Sequence, residues 1–143
     1  MAIRVRRADF DADLATIRRI RFAVFVDEQA VPPSLEMDDR DAHCEHFLAF
    51  EDDRPVGTAR IDFAQDGKVG RLAVLADCRR SGIGRALMQA CHEAALAQGL
   101  DQAWCNAQVG AVAFYECLGY RVTGEPFEEA GIEHLRMTRH LAP

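Results

Sequence analysis

The chain has 143 residues and a formal net charge of −6, and 49% of its residues are hydrophobic against 28% charged. This length and composition predict one globular domain over residues 1–143, with a core of its own. The acidic balance argues against a nucleic-acid partner. No apolar run approaches the ~20 residues of a membrane span, and the first residues contain no signal-peptide core, so we expect a cytoplasmic protein without a membrane partner.

The N-terminal third predicts a strand, a helix and an acidic loop. Residues 3–7 alternate and predict a short strand, and residues 14–24 carry apolar side chains at helical spacing. A Pro-Pro pair at positions 32 and 33 ends any helix. Residues 34–44 then form a polar, acidic loop, for which a solvated connection and a binding loop are both open interpretations.

The rest of the chain predicts a mixed sheet. The strand that follows the long helix must run parallel to the strand before it, because a helical crossover joins them. The fold class is α/β (α+β), with a mixed, mostly antiparallel central sheet and helices on both faces. The predicted elements are strands at 46–51, 56–63, 68–75, 101–107, 120–122 and 134–138, a long helix with apolar residues from Ile83 to Ala94 and Gly99 as its C-cap glycine, a short helix at 109–118, and a loop at 124–131.

The turn between the strand at 68–75 and the long helix predicts an anion site. Residues 79–84 (RRSGIG) form a glycine-containing turn at a helix N-terminus, which directs free N–H groups and the positive end of the helix dipole at one point. No Lys-Ser or Lys-Thr follows the glycines, so this is not a P-loop. Leu87 replaces the third glycine of a dinucleotide loop, and Trp104 and Cys105 stand where its acidic ribose ligand belongs. An ordinary strand-to-helix turn remains the alternative.

The basic residues support an anionic ligand at this turn. The chain has sixteen arginines and one lysine, and five of these residues fall within eighteen positions: Lys68, Arg71, Arg79, Arg80 and Arg85. An acidic protein with one local basic patch suits a small anionic cofactor better than a long polyanion.

No metal or disulfide pattern is present. The five cysteines are odd in number and lack a Cys-x-x-Cys pair, so they are expected to be reduced thiols that pack as small hydrophobic residues. The run from His43 to His46 offers ligand types for zinc, but no second ligand pair follows at suitable spacing, so no metal is expected.

Two motifs resemble the acetyl-CoA-dependent N-acetyltransferase superfamily (GNAT). Arg-x-x-Gly-x-Gly over residues 79–84 resembles its pyrophosphate-binding loop. Asn106, followed by residues 113–116 (AFYE) and 118–120 (LGY), resembles its C-terminal signature. The two motifs stand in the right order and separation, and the resemblance covers essentially the whole chain.

The N-terminal region further resembles the ElaA-like bacterial subgroup of that superfamily. The matching residues are 21–29 (RFAVFVDEQ), Pro32 and the Glu36-x-Asp38 pair. From this finer resemblance we expect Arg21, Glu28, Glu36 and Asp38 to bind the substrate.

The resemblance implies a GNAT-like fold with acetyl-CoA as cosubstrate. In this family the fourth strand splays from the fifth, and its unpaired backbone groups bind the pantetheine arm. Tyr115 matches the family's general-acid tyrosine, with simple packing on the sheet as the alternative. Asn106 is expected to contact the cofactor or a bridging water, and its alternative is capping of the next turn. The implied cofactor-binding residues are Leu72, Ala73, Val74, Arg79, Arg80, Ser81, Gly82, Ile83, Gly84, Arg85 and Asn106.

The acceptor is expected to be a small amine or a protein amine. An alkylamine with a pKa near 10.4 must lose a proton before it attacks, which costs roughly 4 kcal/mol at neutral pH. The sequence does not choose among the acidic candidates for this step, and the acidic loop could instead only attract a cationic acceptor. The candidates are Glu28, Glu36, Asp38, Asp41 and Asp62.

Two function classes fit the sequence. The leading hypothesis is an acetyl-CoA:amine N-acetyltransferase, and the alternative is a catalytically silent acyl-CoA-binding sensor or subunit. Both need the loop at 79–84, but only the enzyme needs Tyr115 and a base. The sequence leaves the oligomeric state open, a homodimer included.

Overall fold

The computed structural model describes residues 2–142, which contain eight β-strands and four α-helices. Helix α1 continues into a π-helical segment, Phe22–Glu28. The helices are α1 (Leu14–Arg21), α2 (Pro33–Glu36), α3 (Ile83–Ala97) and α4 (Val112–Cys117). The strands are β1 (Ile3–Ala8), β2 (Glu45–Glu51), β3 (Arg54–Asp62), β4 (Lys68–Val74), β5 (Gln102–Gln108), β6 (Arg121–Val122), β7 (Phe127–Glu129) and β8 (Ile132–His140).

The strands form one sheet in the order β1-β2-β3-β4-β5-β8-β6, with β7 paired to β8. Every described pairing is antiparallel except that of β4 with β5. Helix α3 supplies the crossover that these two parallel strands require. The predicted mixed, mostly antiparallel sheet is confirmed.

Helices cover both faces of the sheet. Along β2, Phe47 and Ala49 pack in the cluster that contains α3, whereas Leu48 and Phe50 pack against α1. Successive side chains of a strand point to opposite faces, so these two clusters lie on opposite sides. The α3 side is the larger core and includes Tyr115 of α4.

Strands β4 and β5 separate soon after they meet. Their ladder consists of Lys68 opposite Trp104, with the Trp104 N–H donating to Gly67 O at 3.1 Å. Along its other edge, β4 stays paired with β3 as far as Val74. A β-bulge at Arg71, whose φ is +49°, interrupts this register and bends β4. The result is a cleft between β4 and β5.

The structure differs from the predicted elements at the acidic loop and near the C-terminus. The acidic loop contains α2 and a 3₁₀ turn, Asp41–His43, and the helix predicted at 109–118 begins as a 3₁₀ turn, Val109–Ala111. The loop predicted at 124–131 contains β7. Ala130 and Gly131 have φ values of +53° and +77°, which suit the tight turn joining β7 to β8.

No α-helix within residues 2–142 has the length and apolar character of a membrane span.

Candidate active site

The cleft between β4 and β5 opens into a cavity of about 560 Å³. Its wall runs from the loop at the N-terminus of α3 to the start of β4, so one space connects the predicted cofactor loop with Tyr115. The predicted site residues in the wall are Glu36, Leu72, Val74, Arg79, Arg80, Gly84, Asn106 and Tyr115. The predicted residues outside the wall are Arg21, Glu28, Asp38, Ala73, Ser81, Gly82, Ile83 and Arg85.

The loop before α3 presents free backbone donors. Ser81 Oγ donates to Cys78 O at 2.6 Å, and Gly82 adopts a φ of +86° directly before the helix begins. The first helical N–H with an acceptor is that of Ala86, which donates to Gly82 O at 3.0 Å. The N–H groups of residues 83–85 therefore lack acceptors within the described chain, and they share the positive end of the helix dipole. This geometry suits an anion.

Gly84 allows α3 and α4 to approach each other. A Cβ atom at this position would lie 3.2 Å from Phe114 Cζ, tighter than ordinary side-chain contacts. The glycine therefore serves packing as well as access to the backbone.

The arginines of the loop fall into two groups. Arg79 is engaged within the protein, because its guanidinium contacts Glu28 at 2.7 and 2.9 Å and donates to Val74 O at 2.9 Å. Arg79 lines the cavity as predicted, but it is not free to contact a phosphate while it is paired with Glu28, so the predicted binding roles of these two residues stay predictions. Arg80 and Arg85 are exposed and form no ion pair within residues 2–142, so they are the loop cations available to a ligand.

Tyr115 places a protonated hydroxyl at the cavity wall. The side chain packs edge-to-face against Phe114 and Tyr120, with ring centroids 5.1 and 5.6 Å apart. Burial raises the pKa of Tyr115 well above its ordinary value, so the phenol keeps its proton at neutral pH. Its hydroxyl has no hydrogen-bond partner among the described residues, whereas the Tyr120 hydroxyl is bonded to His92 Nε2 at 2.6 Å.

Asn106 lies across the cleft on β5. Its side chain lines the cavity and forms no hydrogen bond to the described residues. The next turn, which begins after Gln108, has no side-chain cap. The geometry therefore favours contact with a ligand over the capping alternative.

The acidic loop is held by arginines of the sheet and of α1. Arg21 contacts Glu36 and Asp41, and these three side chains are 1–3% exposed. Arg60 contacts Asp38 and Asp41, each at 2.7 Å. Each partner of a buried pair offsets the desolvation of the other, so this cluster fixes α2 against the sheet.

The same arginines keep the loop carboxylates ionised. Burial raises the pKa of Asp38, but the hydrogen bonds and charge of Arg60, with a smaller contribution from Arg71, outweigh it and lower the pKa to about 2. Burial also raises the pKa of Asp41, but the hydrogen bond and charge of Arg21 outweigh this effect. The pKa of Asp41 therefore stays below its usual value.

The proposed attraction of a cationic acceptor by this loop does not fit the geometry. Arg21 is buried and bonded to carboxylates, which corrects the expectation that it binds the substrate. Asp38 and Asp41 are likewise neutralised by arginines. Of the five acidic candidates, Glu36 and Asp62 line the cavity; Asp62 is paired with Arg40, whereas the Oε2 atom of Glu36 has no hydrogen-bond partner among the described residues.

Sequence reasoning missed several residues of the wall. Arg60, Gln65 and Lys68 line the end of the cavity away from the loop, and Glu129 and His134 contribute from the β7–β8 hairpin. Lys68 stood out as the single lysine of the chain. Glu129 and His134 carried no local signal, because it is the pairing of β5 with β8 that brings the hairpin to this site.

A mixed sheet that opens between two parallel strands, beside a helix N-terminus with free N–H groups, defines an acyl-CoA N-acyltransferase fold. The sequence matches the model of the acetyltransferase (GNAT) domain over residues 11–141. The chain therefore belongs to the GNAT acetyltransferase family and is an acyltransferase.

Individual relatives agree with this assignment over nearly the whole chain. YjcF of Bacillus subtilis, named as an uncharacterized N-acetyltransferase, is 39% identical over 84% of this chain and 87% of its own length. ElaA of Escherichia coli is 30% identical over 91% of this chain and 89% of its own, and its crystal structure superposes with a TM-score of 0.84. An acyl-CoA N-acyltransferase from Pseudomonas aeruginosa also gives 0.84, at 26% identity, over 96% of this chain and 99% of that one. The predicted resemblance to GNAT and to ElaA-like proteins is confirmed.

Proposed function

We propose that this protein transfers the acetyl group of acetyl-CoA to a primary amine by direct attack of the amine on the thioester. The observation that carries the proposal is the single cavity whose wall contains the α3 loop, the unpaired edge of β4 and Tyr115. The family supplies the acyl-transfer chemistry, and the name of the Pseudomonas aeruginosa neighbour supports an acyl-CoA donor.

The donor end is the loop before α3. The free N–H groups of residues 83–85 and the side chains of Arg80 and Arg85 would hold a pyrophosphate. The edge of β4 that faces the cleft has no partner strand beyond Lys68 within residues 2–142, so Leu72, Ala73 and Val74 would offer backbone groups to the pantetheine arm. One of these N–H groups would polarise the thioester carbonyl.

Tyr115 would supply the last proton. The amine nitrogen forms a bond to the carbonyl carbon, the carbon–sulfur bond breaks, and the departing thiolate takes the phenolic proton. The burial that raises the pKa of Tyr115 also raises that of a thiolate in the same cavity, because both anions lose hydration there. The shift of Tyr115 opposes the proton transfer, and the shift of the thiol favours it.

Glu36 is the carboxylate that would accept the proton of the amine, through a bridging water rather than by direct contact, because its side chain lies at the cavity wall but is only 1% exposed. The other four candidates are each engaged by an arginine: Glu28, Asp38, Asp41 and Asp62. Glu36 is also bonded to Arg21, but through Oε1, which leaves Oε2 without a partner in residues 2–142.

The test is release of free thiol from acetyl-CoA against a panel of neutral, cationic and anionic amines. We expect turnover with at least one class, and Arg80→Glu should raise the KM for acetyl-CoA about tenfold, because a charge-assisted phosphate contact becomes repulsive. Arg19→Glu is the matched control, since Arg19 is exposed on α1 away from the cavity. Binding of acetyl-CoA without turnover on the whole panel would instead identify a silent acyl-CoA-binding module.

A further inference from the structure

We propose that the end of the cavity away from the α3 loop binds an anionic group of the acceptor, a carboxylate or a phosphate, with Lys68 as its main contact. This inference rests on the proposed function, because it assigns the chemistry of the acceptor at the same site. It reverses the expectation that the acceptor is drawn in as a cation.

The charges beside this end cancel within the protein. Four arginines and four carboxylates contact one another, so the cluster as a whole is neutral and offers a cationic acceptor no net attraction. Its members are Arg21, Arg40, Arg60, Arg71, Glu36, Asp38, Asp41 and Asp62.

The remaining wall charges favour an anion. Lys68 lines the cavity and has no carboxylate partner among the described residues, in contrast to Arg60 and Arg71. The one wall carboxylate outside the cluster, Glu129, lies on the β7–β8 hairpin with its side chain 54% exposed, where water screens its charge. Lys68 is therefore the uncompensated charge at this end.

A second cation and a fixed indole stand beside Lys68. Its Nζ lies 5.3 Å from the centroid of the Trp104 ring, and the Arg136 guanidinium carbon lies 3.9 Å from the same centroid. Trp104 Nε1 donates to Gln65 O at 2.8 Å, which fixes the ring. Arg136 also has no carboxylate partner within residues 2–142. Trp104 and Arg136 lie outside the residues that line the cavity, so Lys68 is the direct contact, and Arg136 adds a second positive charge beside the same ring.

The two ends of the cleft then divide the recognition of donor and acceptor. Arg80 contacts phosphate at the open end, Lys68 contacts the anion of the acceptor at the closed end, and Tyr115 and Asn106 lie in the wall between β4 and β5. An amine that carries its own anion would be held at one end while its nitrogen approaches Glu36. The acceptor class is therefore a small amino acid or an amino phosphate.

Trp104 is the only tryptophan of the chain, so its fluorescence reports binding at this place without any need for turnover. With the protein saturated by coenzyme A, 6-aminohexanoate should change the emission, whereas 6-aminohexanamide, which has a similar amine but no charge at the far end, should bind at least tenfold more weakly. The Kd values of O-phosphoethanolamine and ethanolamine, compared in the same way, test whether the anion is a phosphate. The affinity for the anionic member of each pair should fall with added salt.

Lys68→Met should raise the Kd for the preferred anionic amine about tenfold and leave that of its neutral partner unchanged, whereas Lys68→Arg should preserve the difference. Arg121→Met, which removes an exposed charge on β6, is the matched control. Equal Kd values for both members of both pairs, or a Lys68→Met variant that binds the anionic amine normally, would overturn the proposal. If Lys68→Met lowered turnover with succinyl-CoA but left the Kd values of the anionic amines unchanged, the anionic group would belong to the acyl donor, and this result would also overturn the proposal. Absence of turnover with normal Trp104 titrations would count against the proposed function alone.

Discussion

Replacing Arg21 by Met tests whether the buried ion-pair cluster holds the acidic loop in place. Arg21 and its partners Glu36 and Asp41 have side chains only 1–3% exposed. Removing one member of such a buried pair costs about 3–5 kcal/mol. We expect the lower end, about 3 kcal/mol, because Arg60 still contacts Asp41 at 2.7 Å. At roughly 4 °C per kcal/mol for a chain of this size, the Tm should fall by about 12 °C.

The assay is thermal and urea unfolding followed by circular dichroism, with Arg19→Met as the matched control. Arg19 is exposed on the same helix and forms no ion pair within residues 2–142, so its removal should change the free energy of unfolding by less than about 0.5 kcal/mol. The urea m-value of Arg21→Met should match that of the wild type, since the loss concerns the folded state.

The pH dependence of this loss provides an independent check. The pKa of Asp41 is lowered in the folded state because Arg21 outweighs the effect of burial. A depressed carboxyl pKa contributes stability above the unfolded value of about 3.9, and this contribution disappears as the pH falls through the folded value. The wild type therefore loses this contribution as the pH falls below about 4. In Arg21→Met the pKa of Asp41 is no longer depressed by Arg21, so the variant has less of this stability to lose, and the gap to the wild type should narrow as the pH falls from about 4. A loss below about 1 kcal/mol at pH 7, or a gap that does not narrow, would refute the reasoning.

Three further changes have defined outcomes. The pKa of Asp38 is about 2, so wild-type stability should fall as the pH drops from about 4 to about 2. Asp38→Asn should remove this step from an acid titration followed by circular dichroism. An unaltered titration would contradict the prediction. Glu28→Gln should release Arg79 and lower the Kd for acetyl-CoA, measured by calorimetry, a few-fold, because the guanidinium becomes free to contact phosphate. A higher Kd would show that the pair instead organises the loop. Glu36→Gln should lower kcat at least tenfold at neutral pH, with the loss shrinking at high pH where the amine is already neutral; a loss independent of pH would point to Arg21 and the fold instead.

Local features of the sequence were sufficient to predict the framework of the site. The apolar strand, the RRSGIG turn and the long helix are contiguous, so periodicity and glycine chemistry predicted them and their anion-binding geometry. The parallel relation of β4 and β5 followed from the helical crossover between them.

The partners of the charged residues could not be predicted in the same way. Arg60 contacts Asp38 across 22 positions, and Arg79 contacts Glu28 across 51. Such pairs depend on how α1 and α2 pack on the sheet, which local patterns do not encode. The acidic loop was therefore interpreted as a free negative surface, although the structure neutralises it with arginines. Lys68 was visible as part of a basic patch, but its separation from that patch, at the far end of the cleft, required the fold.

The central claim is that this cavity performs acyl transfer with Tyr115 as the general acid, and Tyr115→Phe tests it most directly. Phe differs only by the hydroxyl, which has no partner among the described residues, so the fold and the Kd for coenzyme A should be nearly unchanged. Steady-state thiol release should show a kcat about 10²-fold lower, which corresponds to about 2.7 kcal/mol, and the loss should shrink with a donor whose thiol is more acidic. Full activity of Tyr115→Phe with acetyl-CoA and the best acceptor would contradict the claim and leave that proton to water.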